Sequence, residues 1–157
     1  MAILEEPIKE VKVLKNYIDG EWVESQGELK DVVNPATGKT LAKVPISTKE
    51  ELNEAIKLAK EAYPYWRRTT PLARVRCLFR LKELMEENFE ELSRIQTMEH
   101  GKTIDESRGE TRRGIENVEV ATGIPSLMMG NNLEDIATGI DEYLIRQPIG
   151  VFGLICP

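Results

Sequence analysis

The last nine residues, Ile149-Gly150-Val151-Phe152-Gly153-Leu154-Ile155-Cys156-Pro157, are almost wholly apolar and of strand length. Such a run predicts a strand buried on both faces, as inside a parallel sheet. A parallel strand joins its neighbour through a crossover connection. None follows Pro157, so the expectation is the N-terminal part of a larger α/β protein.

Upstream, punctuation marks divide the chain. Residues 1–14 are charged and expected to be flexible. Asp19-Gly20, between Asn16-Tyr17-Ile18 and Glu21-Trp22-Val23, is a hairpin signal. A second hairpin is expected from Asp31 to Ile46, turning at Ala36-Thr37-Gly38. Ser47-Thr48 with Glu50 and Glu51 predicts a capping box, and Pro64 is expected to end that helix. Thr70-Pro71 opens a second helix with an apolar stripe from Leu72 to Met85. Asn88 is expected to cap a third, which Gly101 stops. Thr103, with Asp105 and Glu106 in the first turn, opens a fourth that ends near Gly123-Ile124-Pro125. Residues 126–132 read as a loop or broken turn. Two strands, Asp135 to Gly139 and Tyr143 to Pro148, are expected around Asp141-Glu142, before the final strand at 149–157.

The formal net charge of −6 and the absence of a Lys/Arg run beyond Arg67-Arg68 and Arg112-Arg113 argue against nucleic-acid binding. No apolar stretch reaches transmembrane length and the N-terminus has no leader character, so no membrane partner is expected and a cytoplasmic location follows by default. The two cysteines, Cys77 and Cys156, make neither a disulfide framework nor a zinc site, and each reads as a small apolar residue. The single histidine, His100, has no ligand partner at metal spacing and suits a helix C-terminus, so no metal is expected.

Several phrases in order resemble the aldehyde dehydrogenase superfamily: Tyr17-Ile18-Asp19-Gly20-Glu21-Trp22-Val23, Val33-Asn34-Pro35-Ala36-Thr37-Gly38, Glu99-His100-Gly101-Lys102 and Pro148-Ile149-Gly150-Val151-Phe152-Gly153-Leu154-Ile155-Cys156-Pro157. The helix after Val44-Pro45-Ile46-Ser47 matches too. Gly109-Glu110, then Arg113-Gly114-Ile115-Glu116-Asn117-Val118-Glu119, then Pro125-Ser126-Leu127-Met128-Met129-Gly130, is similar to the methylmalonate-semialdehyde dehydrogenase branch. The resemblance covers nearly the whole chain after residue 14.

That resemblance implies the N-terminal part of the aldehyde dehydrogenase fold. It implies hairpins and the helical region of the NAD-binding domain over 15–132, an oligomerisation-type hairpin over 133–148, and the first strand of a truncated Rossmann-like NAD sheet over 149–157. The implied activity is NAD-dependent oxidation of a malonate-type semialdehyde, with coenzyme A accepting the acyl group and carbon dioxide lost. The catalytic cysteine would lie beyond Pro157, so the chain contributes no catalytic residue and is expected to be inactive alone. Its implied partners are the C-terminal part of the subunit and further copies of itself.

Two residues carry over. Arg113 matches the arginine that holds the substrate carboxylate; a planar guanidinium grips a carboxylate with two parallel hydrogen bonds. From spacing alone, Arg112 and Arg113 also suit a solvated helix face paired to Glu116. Cys156 matches a position of contact with NAD, at a strand's carboxyl end. Open alternatives are a non-catalytic remnant or assembly module, and part of a non-acylating aldehyde dehydrogenase.

Overall fold

The structure, a computed structural model, describes residues 6–156. The mixed α/β order follows the turn and cap residues closely. Three short strands, β1 (Lys12–Val13), β4 (Leu29–Val33) and β5 (Thr40–Pro45), form a sheet in the order β1-β5-β4. Strand β1 runs parallel to β5, with Lys12 opposite Ala42, and β4 runs antiparallel to it. The expectation of flexibility through residue 14 therefore fails at Lys12 and Val13, whose backbone is held by the β5 edge. Leu14 extends the contact, its N–H donating to the Lys43 carbonyl at 2.8 Å. The part of that expectation falling on residues 1–5 lies outside the described residues.

The hairpin β2 (Asn16–Ile18) and β3 (Glu21–Val23) forms as read. Asp19 and Gly20 both take positive φ, 51° and 84°, the geometry a two-residue hairpin turn requires. Tyr17 and Trp22 face each other across it with ring centroids 4.9 Å apart.

Helix α1 (Lys49–Arg68) starts at the expected capping box. The Glu51 N–H donates to Thr48 Oγ1 at 3.2 Å, and the Thr48 N–H donates to the Glu51 carboxylate at 2.8 Å. That carboxylate also accepts from Ser25 Oγ and the Gln26 N–H, both at 2.7 Å. These bonds hold the Glu51 pKa below its ordinary value, the Gln26 backbone bond first. Pro64 does not end the helix. Proline removes one N–H and displaces the carbonyl four residues earlier; here that residue, Lys60, and Pro64 itself are exposed, so the freed carbonyl lies where solvent can reach it.

Helix α2 (Pro71–Glu87) begins with Thr70 Oγ1 accepting from the Ala73 N–H at 3.3 Å. Asn88 makes no side-chain cap on α3 (Phe89–His100). Its Nδ2 instead donates to the Leu84 carbonyl at 2.7 Å, so it closes α2 rather than opening α3. Gly101, at φ 86°, stops α3 after His100. Helix α4 (Ile104–Thr122) opens with a Thr103–Glu106 capping box, and one turn, α5 (Ile124–Leu127), follows where a loop was expected.

The last strands are β6 (Asn132–Ala137) and β7 (Ile140–Tyr143), an antiparallel pair. Their turn falls at Thr138-Gly139, not at Asp141-Glu142. Gly139 supplies the positive φ, 76°, and its N–H donates to Asp135 Oδ1 at 3.2 Å. Residues 149–156 form no strand. No ladder connects them to any described strand, and an extended segment becomes a strand only by pairing its backbone.

The helices α2, α3 and α4 pack mutually. Where α3 meets α4 the contact is polar and close. Ser93 and Ser107 are fully buried; Ser93 Oγ lies 2.8 Å from the Phe89 carbonyl and 3.1 Å from Thr111 Oγ1, and Thr97 Oγ1 lies 2.8 Å from Ser107 Oγ. Buried hydroxyls at such an interface are stable only when partnered. Large apolar residues buried among those described are few: Leu41 on β5, Val75 on α2 and Ile115 on α4. Helix α1 has no buried residue. The accessible surface is 12660 Å², whereas a compact monomer of 17.8 kDa exposes roughly 8,000 Å². The excess is carried by apolar faces with nothing upon them.

Candidate functional site

Helix α4 presents the side chain of greatest chemical interest. It is fixed in place by ion pairs along both flanks. Arg108 Nε and Nη2 each lie 2.9 Å from the Glu90 carboxylate, an arrangement with two parallel bonds. Arg112 Nη1 lies 2.6 Å from Glu86, and its guanidinium sits 4.8 Å from the centre of the Phe89 ring. Lys82 reaches Glu119 at 3.0 Å, and Glu110 accepts from Lys102 and Gln96. The carboxyls of Glu86, Glu90 and Glu110 are held below their usual range, in each case chiefly by the hydrogen bond from Arg112, Arg108 and Lys102 respectively.

Arg113 stands apart from this network. It is exposed, and among the described residues it makes no hydrogen bond or ion pair. The intrahelical pairs to Glu116 that spacing allowed do not form for either arginine: Arg112 turns to α2 and Arg113 points away, about 100° around the helix. Gly109, four residues earlier, and Val120, seven later, lie on the same side of α4, and Val120 is 69% exposed. Glu110, Glu116 and Asn117, all exposed, also flank Arg113 on this side of the helix. The chemical capacity of the Arg113 guanidinium is to take an anion with two acceptor oxygens.

Cys156 lies at the end of an extended, exposed segment. The segment is tied at its start, where Tyr63 Oη donates to the Pro148 carbonyl at 2.8 Å and Arg67 reaches Gln147 at 3.4 Å. Beyond that the backbone is open: a methyl added at Gly153 would meet nothing within 4 Å. Cys156 and Cys77 are both free and exposed, so the reading of each as a buried apolar filler is not met. For Cys77 the reason is local, since the α2 face it shares with Leu81, four residues on, is uncovered. No hydrogen bond or ion pair joins Arg113 to Cys156 among the described residues. Among the described residues, no group of three or more His, Cys, Asp or Glu residues is placed to hold a metal ion, and no helix is long and apolar enough to cross a membrane.

The β6–β7 ribbon is exposed along its whole length, with Leu133, Ile136, Ile140 and Tyr143 all outward. A groove of about 730 Å³, not anticipated from sequence, lies between residues 7–14, the β-sheet and α3, lined by Ile8, Leu14, Val32, Leu41 and Ile95. One of its walls is the pairing of β1 with β5, and β1 is a two-residue strand too short to signal itself.

The aldehyde dehydrogenase family model matches residues 22–157. The chain is 55% identical over 148 residues to malonate-semialdehyde dehydrogenase 2 of Geobacillus kaustophilus, covering 94% of this chain and 31% of that protein. It is 50% identical over 149 residues to the malonate-semialdehyde dehydrogenase of Listeria monocytogenes serotype 4a, covering 94% and 30%. Among solved structures it superposes with a TM-score of 0.82 on methylmalonate-semialdehyde dehydrogenase from Oceanimonas doudoroffii, at 38% identity over 88% of this chain and 28% of that one. A protein assigned the same activity, from Sinorhizobium meliloti 1021 and complexed with NAD, gives a TM-score of 0.83 at 37% identity, over 90% and 29%. The chain thus spans about 30% of the length of the curated relatives it matches.

Proposed function

The chain belongs to the aldehyde dehydrogenase family, and we propose that it forms the N-terminal portion of an NAD-dependent malonate- or methylmalonate-semialdehyde dehydrogenase. The reaction converts the semialdehyde to an acyl-CoA with loss of carbon dioxide. The observation that carries this reading is the 55% identity to a malonate-semialdehyde dehydrogenase. The exposed guanidinium of Arg113 is in keeping with it, because the substrate named carries a carboxylate.

In this reading Arg113 holds the semialdehyde's carboxylate through two parallel hydrogen bonds. It selects against uncharged aldehydes, which leave a desolvated guanidinium unpaired. Cys156 borders the cofactor. Its small side chain and the unobstructed backbone at Gly153 fit a contact made mainly through the main chain. NAD, when bound, supplies the hydride acceptor. The nucleophilic thiolate and the residues that receive coenzyme A belong to sequence outside this chain, which is inactive alone. Neither Cys77 nor Cys156 has a hydrogen-bonded base among the described residues to activate it. The exposed 132–143 ribbon joins subunits into a homo-oligomer, and the protein works in the cytoplasm.

The test mixes the purified chain with the C-terminal portion of the Geobacillus relative, supplied as a second polypeptide, and follows NADH formation from malonate semialdehyde with coenzyme A. Turnover only in the mixture is expected. Turnover by neither the chain nor the mixture favours the second reading, an assembly module acting through the exposed ribbon.

A further inference from the structure

Gly109 occupies the interior of α4, is exposed, and lies one turn before Arg113. A glycine there weakens the helix relative to alanine, because its backbone loses more freedom on folding. Among the described residues nothing crowds it: a methyl on its Cα would meet nothing within 4 Å. At Gly114, by contrast, Met85 Cε would lie 3.5 Å from such a methyl. Helix side chains lean toward the N-terminus, so the Arg113 stem reaches over the turn that contains Gly109. The helix is therefore indented beside its one arginine without a partner, on a side where Val120 is also uncovered.

We infer that Gly109 is a specificity-determining residue, its missing side chain leaving the notch in which the carboxylate end of a short malonate-type semialdehyde seats against Arg113. The inference rests on the carboxylate role proposed for Arg113 above. A side chain at position 109 would occupy the space the carboxylate needs without touching any residue of the chain's own packing.

The test uses the chain completed by the C-terminal portion of the relative, with Gly109→Ala, Gly109→Leu and Arg113→Ala variants, malonate semialdehyde and propanal as paired substrates, and a thermal melt of each variant. Gly109→Ala is expected to lower kcat/KM for the semialdehyde about tenfold, mainly through KM, and Gly109→Leu further. Propanal turnover stays unchanged and the melting temperature does not fall. A Gly109→Leu variant with unaltered semialdehyde kinetics, beside an Arg113→Ala variant that loses them, overturns the inference and leaves the role of Arg113 standing. Equal losses for both substrates overturn it as well, since they mark a structural effect. An Arg113→Ala variant with an unchanged KM overturns the underlying reading, and the inference with it.

Discussion

The α3–α4 pair and the segment from Met128 to Cys156 place opposite demands on their surroundings. Between α3 and α4 the polar groups find partners within the chain: hydroxyls of Ser93, Thr97, Ser107 and Thr111 pair off, and Arg108 meets Glu90. In the later segment, hydrogen bonding lies mainly within a two-stranded ribbon, Tyr63 and Arg67 tie Pro148 and Gln147 to α1, and Ile149, Leu154 and Ile155 are 85%, 87% and 99% exposed. An isolated two-stranded ribbon is marginal in water, and a contiguous apolar surface marks an interaction site. The difference teaches where the stability of this chain resides. Helices α3 and α4 satisfy their polar groups between themselves, whereas the C-terminal segment leaves its apolar side chains uncovered.

Replacing the same residue type in the two regions is the strongest way to break that comparison. Ile115 is fully buried at the α4 interface, and Ile115→Ala is expected to destabilise by about 3 kcal/mol. Ile155→Ala is expected to change stability by less than about 0.5 kcal/mol. Urea midpoints of both variants measure the contrast, and equal shifts would erase it.

A smaller effect is expected at the polar seam. Ser93→Ala removes the bond to the Phe89 carbonyl and leaves Thr111 without that partner. The expected loss is about 1–2 kcal/mol, read from the same midpoints. A neutral result would place the seam's contribution in close packing alone.

The smallest effect is on acidification. Glu86, Glu90 and Glu110 have their pKa values lowered by Arg112, Arg108 and Lys102. A lowered folded-state value means these groups stabilise the fold above the unfolded carboxylate range, near pH 4.3, and lose that contribution as pH falls below it. All three are solvent-exposed pairs, so the loss is modest and salt-sensitive. A melting temperature that is flat above this range and falls below it, for the helical signal, is the expected profile.

Local chemistry made much of the fold legible. Asp19-Gly20, Thr48 with Glu51, Thr70-Pro71, Gly101, and Thr103 with Glu106 each act within a few residues of themselves, and each appears where it was read. Features decided at longer range were not legible. Whether Pro64 breaks a helix depends on whether water reaches the carbonyl at Lys60. Asn88 faces a choice between two helix ends, and the end of α2 takes it. The ribbon turns at Thr138-Gly139 because Gly139 tolerates the positive φ that would strain Asp141 or Glu142.

The candidate site divides the same way. Arg113 was legible only through a family phrase, because spacing gave Arg112 and Arg113 equal claims. The structure separates them through Glu86, which lies 26 residues from Arg112 and so carries no local signal. Gly109 carried a signal that could have been used, a glycine within a helical pattern.

The most direct test of the central claim is amide hydrogen exchange on the chain alone and with the C-terminal portion of the Geobacillus relative added. The account predicts fast exchange over residues 149–156 in the free chain, strong protection there on mixing, and little change within α3 and α4. Unchanged fast exchange over 149–156 in the mixture would contradict it.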